Sequence, residues 1–314
     1  MIMPDFRVIM KKSLKNLLPS DIVNISFLSL LLFLSIIFPN RIERWYLLAP
    51  LYQSMLATAL LLVYLWHNSP RPVLRMLRRW YPLAFIPIVF FSLQEIVHHI
   101  LPYDIDHWLI ELDYAVFGAH PTVFLSRYLN PYLVDVLELC YASFYWLPII
   151  LGVFVYSRRK THEFETVVTA ICLGFYLSYI GNMLFPVQGP HYTLQALHTV
   201  PVEGKWIGSH VRNYLFALEP YKWDCFPSGH TAVTLIVLIY CYKFVRWLFW
   251  IMLPIAIGLI LSTVFLQHHY VADIIAGAAL AGIVVPLGDF TQRLWLRCAS
   301  HASLNNESES TDSG

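Results

Sequence analysis

Charge is scarce in this sequence. Asp, Glu, Lys and Arg make up 13% of its 314 residues, against about 25% in a water-soluble domain. That deficit excludes a surface bathed in water on every side. No charge of one sign dominates either. The net charge of +1 lacks the strong basic balance that nucleic-acid binding brings, so no nucleic-acid partner is expected. Cysteine is sparse and scattered. Cys140, Cys172, Cys225, Cys241 and Cys298 form an odd set without a Cys-x-x-Cys pair, which excludes a disulfide framework and a zinc-ligand pair. No carboxylate cluster accompanies the histidines described below, and neither a metal nor a cofactor is expected.

Apolar residues are what the chain has instead, at 58% and in long runs. A helix needs about 20 mostly apolar residues to cross a bilayer. Eight runs qualify, at 22–39, 46–66, 82–101, 132–156, 164–185, 229–248, 250–267 and 271–292. They predict an all-α polytopic membrane helix bundle. The third run carries Gln94, Glu95, His98 and His99, so it must face protein or water rather than lipid. Gly277 and Gly282 in the last run predict close helix packing. Residues 1–21 read as a cytoplasmic segment, and the apolar run after them lacks a small-residue cleavage site, so it reads as a retained span. Residues 22–298 read as one transmembrane domain. The Ser-, Asn- and Glu-rich stretch 299–314 is expected to be a disordered cytoplasmic tail.

Basic residues orient the bundle. With a cytoplasmic N-terminus, inside segments hold Arg71, Arg75, Arg78 and Arg79, then Arg158, Arg159 and Lys160, as well as the basic N-terminal residues. Lys243, Arg246, Arg293 and Arg297 also fall inside, and the outside segments hold Arg41, Arg44, Arg127, Lys205, Arg212 and Lys222. Two outside segments are long. Residues 102–131 look interfacial and amphipathic. Residues 186–228 mix Pro, Gly and aromatics, and loops of that length usually carry function.

Two motifs fall at the outside ends of spans. Phe226-Pro227-Ser228-Gly229-His230-Thr231 opens the sixth. Ser228 suits an N-cap. Free N–H groups of that first turn, with Gly229 permitting close approach, form an anion site beside His230. His268-His269-Tyr270-Val271-Ala272-Asp273 joins the seventh and eighth. His269 and Asp273 are four apart, so on a helix they share a face. A carboxylate bonded to one imidazole nitrogen leaves the other basic and aimed outward. A plainer reading makes His230 and His269 structural histidines bonded to backbone carbonyls, and Asp273 a simple helix N-terminal charge. Their placement at one membrane face favours chemistry. A transporter would instead spread polar residues through the spans at mid-depth.

Pro-Ser-Gly-His followed by His-x-x-x-Asp resembles the type 2 phosphatidic acid phosphatase superfamily, over roughly residues 164–290. The resemblance implies a six-helix core and a metal-free reaction on a lipid-linked phosphate. In it His269 attacks phosphorus, Asp273 orients it, His230 protonates the leaving oxygen, and Pro227, Ser228 and Gly229 hold the phosphate. Two departures stand out. Where phosphatases carry Ser-Arg, this chain has Ser262-Thr263. Where they carry Lys and Arg-Pro, it has Phe185-Pro186-Val187-Gln188-Gly189-Pro190-His191-Tyr192, with His191 the one basic group. That stretch and Asp113-Tyr114-Ala115-Val116-Phe117-Gly118-Ala119-His120-Pro121 are similar to the inositol phosphorylceramide synthase branch. His269-Tyr270-Val271-Ala272-Asp273 is similar to sphingomyelin synthases. These relatives imply transfer of a phospho-headgroup from a phospholipid, with Gln188, His191, Tyr192 and Arg212 as further substrate contacts. The alternative is a lipid phosphate phosphatase acting on phosphatidic acid or a polyprenyl phosphate. The expected setting is a bacterial inner membrane, with the site on the non-cytoplasmic face.

Overall fold

The structure is a computed structural model that describes residues 16–68, 70–218 and 222–311, with side chains described except at 66–68, at 98 and from 299 onward. Every regular element among the described residues is helical. In chain order the long elements are α1 (Pro19–Ile37), α2 (Trp45–Asn68) and α3 (Pro72–Leu93). After the one-turn α4 (Val97–Ile100) come α5 (Asp106–Phe117) and α6 (Pro121–Ser126). Then follow α7 (Pro131–Ala142), α8 (Leu147–Ser157) and α9 (Thr161–Leu184). The one-turn α10 (Pro190–Thr193) and α11 (Gly208–Leu218) lie in the long outer segment. The chain closes with α12 (Gly229–Phe244), α13 (Arg246–Phe265) and α14 (Val271–Thr311).

Five of these helices are long and apolar enough to cross a bilayer, within α1, α2, α9, α13 and α14. Helices α7 and α8, which join at a 48° bend, are long and apolar enough together to form a broken span or a re-entrant loop. Helix α12 is apolar but shorter. The expected tail from residue 299 lies outside the residues whose side chains are described, and the helical backbone runs on to Thr311.

The third expected span differs from its bounds, and α3 is not among the helices that qualify as spans. Apolarity alone places it at 82–101, but α3 starts ten residues earlier and ends at Leu93. Pro72 suits the first helical turn, where its missing N–H costs nothing. The basic residues that follow are accommodated because Arg78, fully buried, is paired through both terminal nitrogens with the buried Asp21 of α1. Tyr81 Oη donates to the same carboxylate at 2.7 Å. Removing one partner of such a buried pair typically costs about 3–5 kcal/mol. Gln94 and Glu95 fall in the break after α3. Glu95 meets Arg44 at the exposed end of the bundle, at 3.2 Å, rather than a cation inside it.

Helix α9 is the central post. It packs on α14, α12, α1, α3 and α8, and most of its length is buried. The interfacial helix α5 is inside-out by the standards of water: it buries Asp106 and Asp113 and exposes Trp108, Leu112, Val116 and Phe117. That pattern suits a helix lying where its outer face meets lipid.

Candidate active site

The first motif is held by its cap and by its neighbour. Ser228 precedes α12, and its Oγ accepts from Thr231 N at 3.2 Å. Ser228 N donates to the carbonyl of Asp273 at 3.1 Å, so the two motifs are joined by backbone. They lie this close because position 277 has no side chain: a Cβ there would sit 2.5 Å from the Ser228 carbonyl oxygen. At Gly282 a Cβ would meet nothing within 4 Å, so the packing role expected there falls to Gly277 alone. The Phe226–Pro227 peptide is cis.

His269 is not on a helix. Helix α14 begins at Val271, so the shared-face argument gives way to a different geometry. The turn before the helix is pinned by the carbonyl of Thr263, which accepts from His268 N at 2.8 Å and His269 N at 2.9 Å. Asp273, in the first turn, reaches back. Its Oδ2 accepts from Tyr270 N at 3.0 Å and lies 3.3 Å from His269 Nδ1. An ionised carboxylate can only accept, so it holds the proton on Nδ1 and leaves a lone pair on Nε2. That Nε2 lies 3.3 Å from His230 Nδ1. The ring of His230 is held by Tyr141, stacked at 4.7 Å, and by Phe144 at 4.3 Å.

Helix α5 supplies two braces. Asp113 accepts from Val271 N at 2.9 Å and Ala272 N at 3.0 Å, capping α14. Asp106 accepts from Gln188 N at 2.8 Å, Gly189 N at 2.9 Å and Tyr270 Oη at 2.8 Å. Burial pushes both carboxyls above their ordinary range, against the pull of those N–H donors. Gly189 has φ +93°, and a Cβ on it would strike Cys225 Sγ and the carbonyl of His268. The strip around Gly189 and the turn at His268 are thereby locked together.

Arg212 comes from the long outer segment. On α7, the carboxylate of Asp135 accepts from the backbone N–H groups of Trp206, Ile207 and Gly208, at the start of α11. One turn along α7, Glu138 Oε1 meets Arg212 Nη1 at 3.1 Å. The same nitrogen donates to the carbonyl of Leu266 at 3.3 Å, and the guanidinium lies 4.7 Å from the centre of the Phe216 ring.

These groups surround one polar hollow, lined by His230, His268, His269, Arg212, Glu138, Asp224, Gln188, His191 and Tyr192 among others. Among the described residues that line it, Arg212 is the one Lys or Arg. Lys205 is exposed beyond it, and Lys222 lies over Tyr192 at 5.3 Å. Burial, and then Arg212, lower the pKa of His191 and hold His268 well below the usual imidazole range. His191 and Arg212 both line the hollow. Burial pushes Asp224 up to about 6, with His269 opposing the shift.

Cys225, His269 and Asp273 also bring three potential metal-ligand atoms within 4.8 Å of one another. Here the thiol of Cys225 donates to the carbonyl of His268 at 3.3 Å, and His269 and Asp273 engage each other.

Pro227, Ser228 and Gly229 thus sit at the helix start beside His230, while Gln188, His191, Tyr192 and Arg212 reach the same hollow from the outer segment. Sequence reasoning gave no role to Asp106, Glu138 and Asp224, and took Asp113 only as the first residue of a family-like stretch. Each is an acidic residue in apolar surroundings, which is a sign of function or of a buried brace. A family model described as PAP2 superfamily matches residues 107–287, more than half of the chain. No curated protein and no solved structure matches it.

Proposed function

Because the chain belongs to the PAP2 superfamily, whose members are phosphatase-type enzymes acting on phosphate esters, we propose that it transfers a phospho-headgroup from a membrane phospholipid through a histidine nucleophile. The substrate phosphorus enters at His269 and His230, whose rings, 3.3 Å apart from nitrogen to nitrogen, separate to admit it. His269 Nε2 forms a bond to phosphorus as the bond to the leaving oxygen breaks, and His230 gives that oxygen a proton. An acceptor hydroxyl then loses its proton to His230. Its oxygen bonds to phosphorus, and the N–P bond breaks. Ser228, Gly229 and the first turn of α12 offer N–H donors to the equatorial oxygens. Asp273 keeps His269 in the reactive tautomer and steadies the charge it gains.

The charge of the hollow carries the choice of transfer over hydrolysis. Arg212 is opposed by Glu138 at 3.1 Å and by Asp224 across the cavity, and His191 and His268 are held neutral. A phosphomonoester dianion calls for several cations around the transferring group. A diester, with one negative charge, suits a hollow with one tethered guanidinium. The distribution of basic residues supports a site facing away from the cytoplasm.

The test is product analysis. Purified full-length chain is given a phosphodiester lipid, its matching monoester and an alcohol acceptor, and products are resolved by mass. The expected outcome is a new diester joining headgroup and acceptor, with a higher kcat/KM for the diester donor. Release of inorganic phosphate from the monoester, with no diester turned over, would leave a lipid phosphate phosphatase instead.

A further inference from the structure

A second, larger hollow opens beside the first. Its walls are α3 (Trp80, Leu83, Ala84, Pro87, Phe90 and Phe91), α8 with the turn before it (Phe144, Tyr145, Pro148 and Ile149), and α9 (Ile171, Phe175 and Tyr179). Those walls are almost wholly apolar. The rim residues Phe91, Tyr145 and Ile149 are exposed, so the groove is open sideways, between helices, where lipid lies. Its polar end is Gly229, His230 and Asp224. Of these, His230 and Asp224 also line the reaction hollow, so the two hollows share a wall at these residues.

We propose that this groove is a binding site for one hydrocarbon chain of the lipid substrate, with α3 as the helix that selects it. The inference rests on the function proposed above. Three observations favour a hydrocarbon chain over any other occupant. The groove meets the reaction hollow at His230, where the ester oxygen that carries the chain must lie. It faces the bilayer. Its length is that of one leaflet: Trp80 to Phe91 covers eleven helical rises, about 16 Å, against about 30 Å for the whole hydrocarbon core. The α3 wall also lies outside residues 107–287, so it is built by a part of this chain that the family match does not include.

A chain moving from bilayer to groove leaves one apolar medium for another and gains little from the hydrophobic effect. What the groove supplies is placement. With the chain seated, the phosphorus is fixed in depth and in angle between His269 and His230. Misplacement on the order of 1 Å can cost 100-fold in rate.

The experiment compares two diesters with a common transferred group, hexadecylphosphocholine and methylphosphocholine, on the full chain in lipid nanodiscs, with the released hexadecanol or methanol resolved by mass. Ala84→Trp and Ile149→Trp place a large side chain in the groove from opposite walls. Both positions are exposed, so neither substitution breaks the core. Each is expected to lower kcat/KM about tenfold or more for the hexadecyl ester and to leave the methyl ester unchanged. An equal fall for both esters, or for neither, overturns the groove. A second measurement does not need turnover. Hexadecyl phosphate carrying a mid-chain diazirine should label α3 and α8 in the wild type and in His269→Ala, and excess hexadecyl phosphate should suppress the label. Labelling spread evenly over every lipid-facing helix overturns the inference. A wild type that turns over neither ester, yet labels at α3 and α8, would count against the proposed chemistry and in favour of the groove.

Discussion

At the scale of single residues, the site works by holding polar groups where they would not go unaided. His269 shows this best. It has a carboxylate on one nitrogen, a second imidazole on the other, and its backbone tied to Thr263. The Thr that stands where phosphatases have Arg therefore serves through its carbonyl. Asp224, in the hollow, changes its state in the accessible range. With its pKa raised to about 6 by burial, the folded protein keeps a proton that the unfolded chain has already lost. Its contribution to stability is therefore present at low pH and lost as pH rises from about 4 through about 6. Once ionised, it opposes an anionic substrate in the same hollow. Asp224→Asn is expected to lower KM for a lipid phosphate several-fold above pH 6 and to change nothing at pH 5, as read from KM profiles of both proteins. A KM ratio that is flat across this range would remove Asp224 from the electrostatics of the site.

At the scale of elements, the catalytic pair depends on how closely α14 passes the start of α12. Gly277 sets that distance. Gly277→Ala must push the Ser228 carbonyl away, and with it His230. It is expected to lower kcat about 10–100-fold while thermal unfolding shifts only modestly. Gly282→Ala, in open space on the same helix, should match the wild type. Equal effects of the two would show that the α12–α14 spacing does not govern the rate. The two motifs were legible in sequence because each is a short run of residues with a shared task. Five of the eight expected spans were legible, or six with the bent pair of α7 and α8, because lipid enforces length and apolarity. The start of α3 was not, because Asp21, which permits Arg78 to be buried, stands 57 residues away in sequence. Asp106 and Asp113 were hidden for the same reason: their partners lie 82 to 164 residues further on. Hydrogen bonds between distant segments leave no periodicity to read.

At the scale of the whole molecule, the chain is a bundle with chemistry gathered at one end. The helix starts of α12 and α14, the strip 188–192 and Arg212 meet there. The turns that bear Arg158, Arg159 and Lys160 lie at the opposite ends of α8 and α9. Single cysteines at Ser157 and Ser209, in a background free of native cysteine, are expected to react with an impermeant maleimide from opposite faces of sealed vesicles. Reaction of both from one face would overturn the arrangement.

The account's central claim is that His269 carries the phosphoryl-containing group. It is tested most directly by trapping that group. Full-length chain, with a strong chelator present, is mixed with a phosphorus-labelled lipid donor and quenched in base before an acceptor is added. The account predicts an acid-labile, base-stable adduct that maps to His269, persists with the chelator and is discharged by an alcohol. It also predicts that His269→Ala loses both the adduct and turnover. An adduct that maps elsewhere, a His269→Ala protein that keeps a substantial share of its activity, or turnover that ceases with the chelator and returns with one particular metal would contradict it.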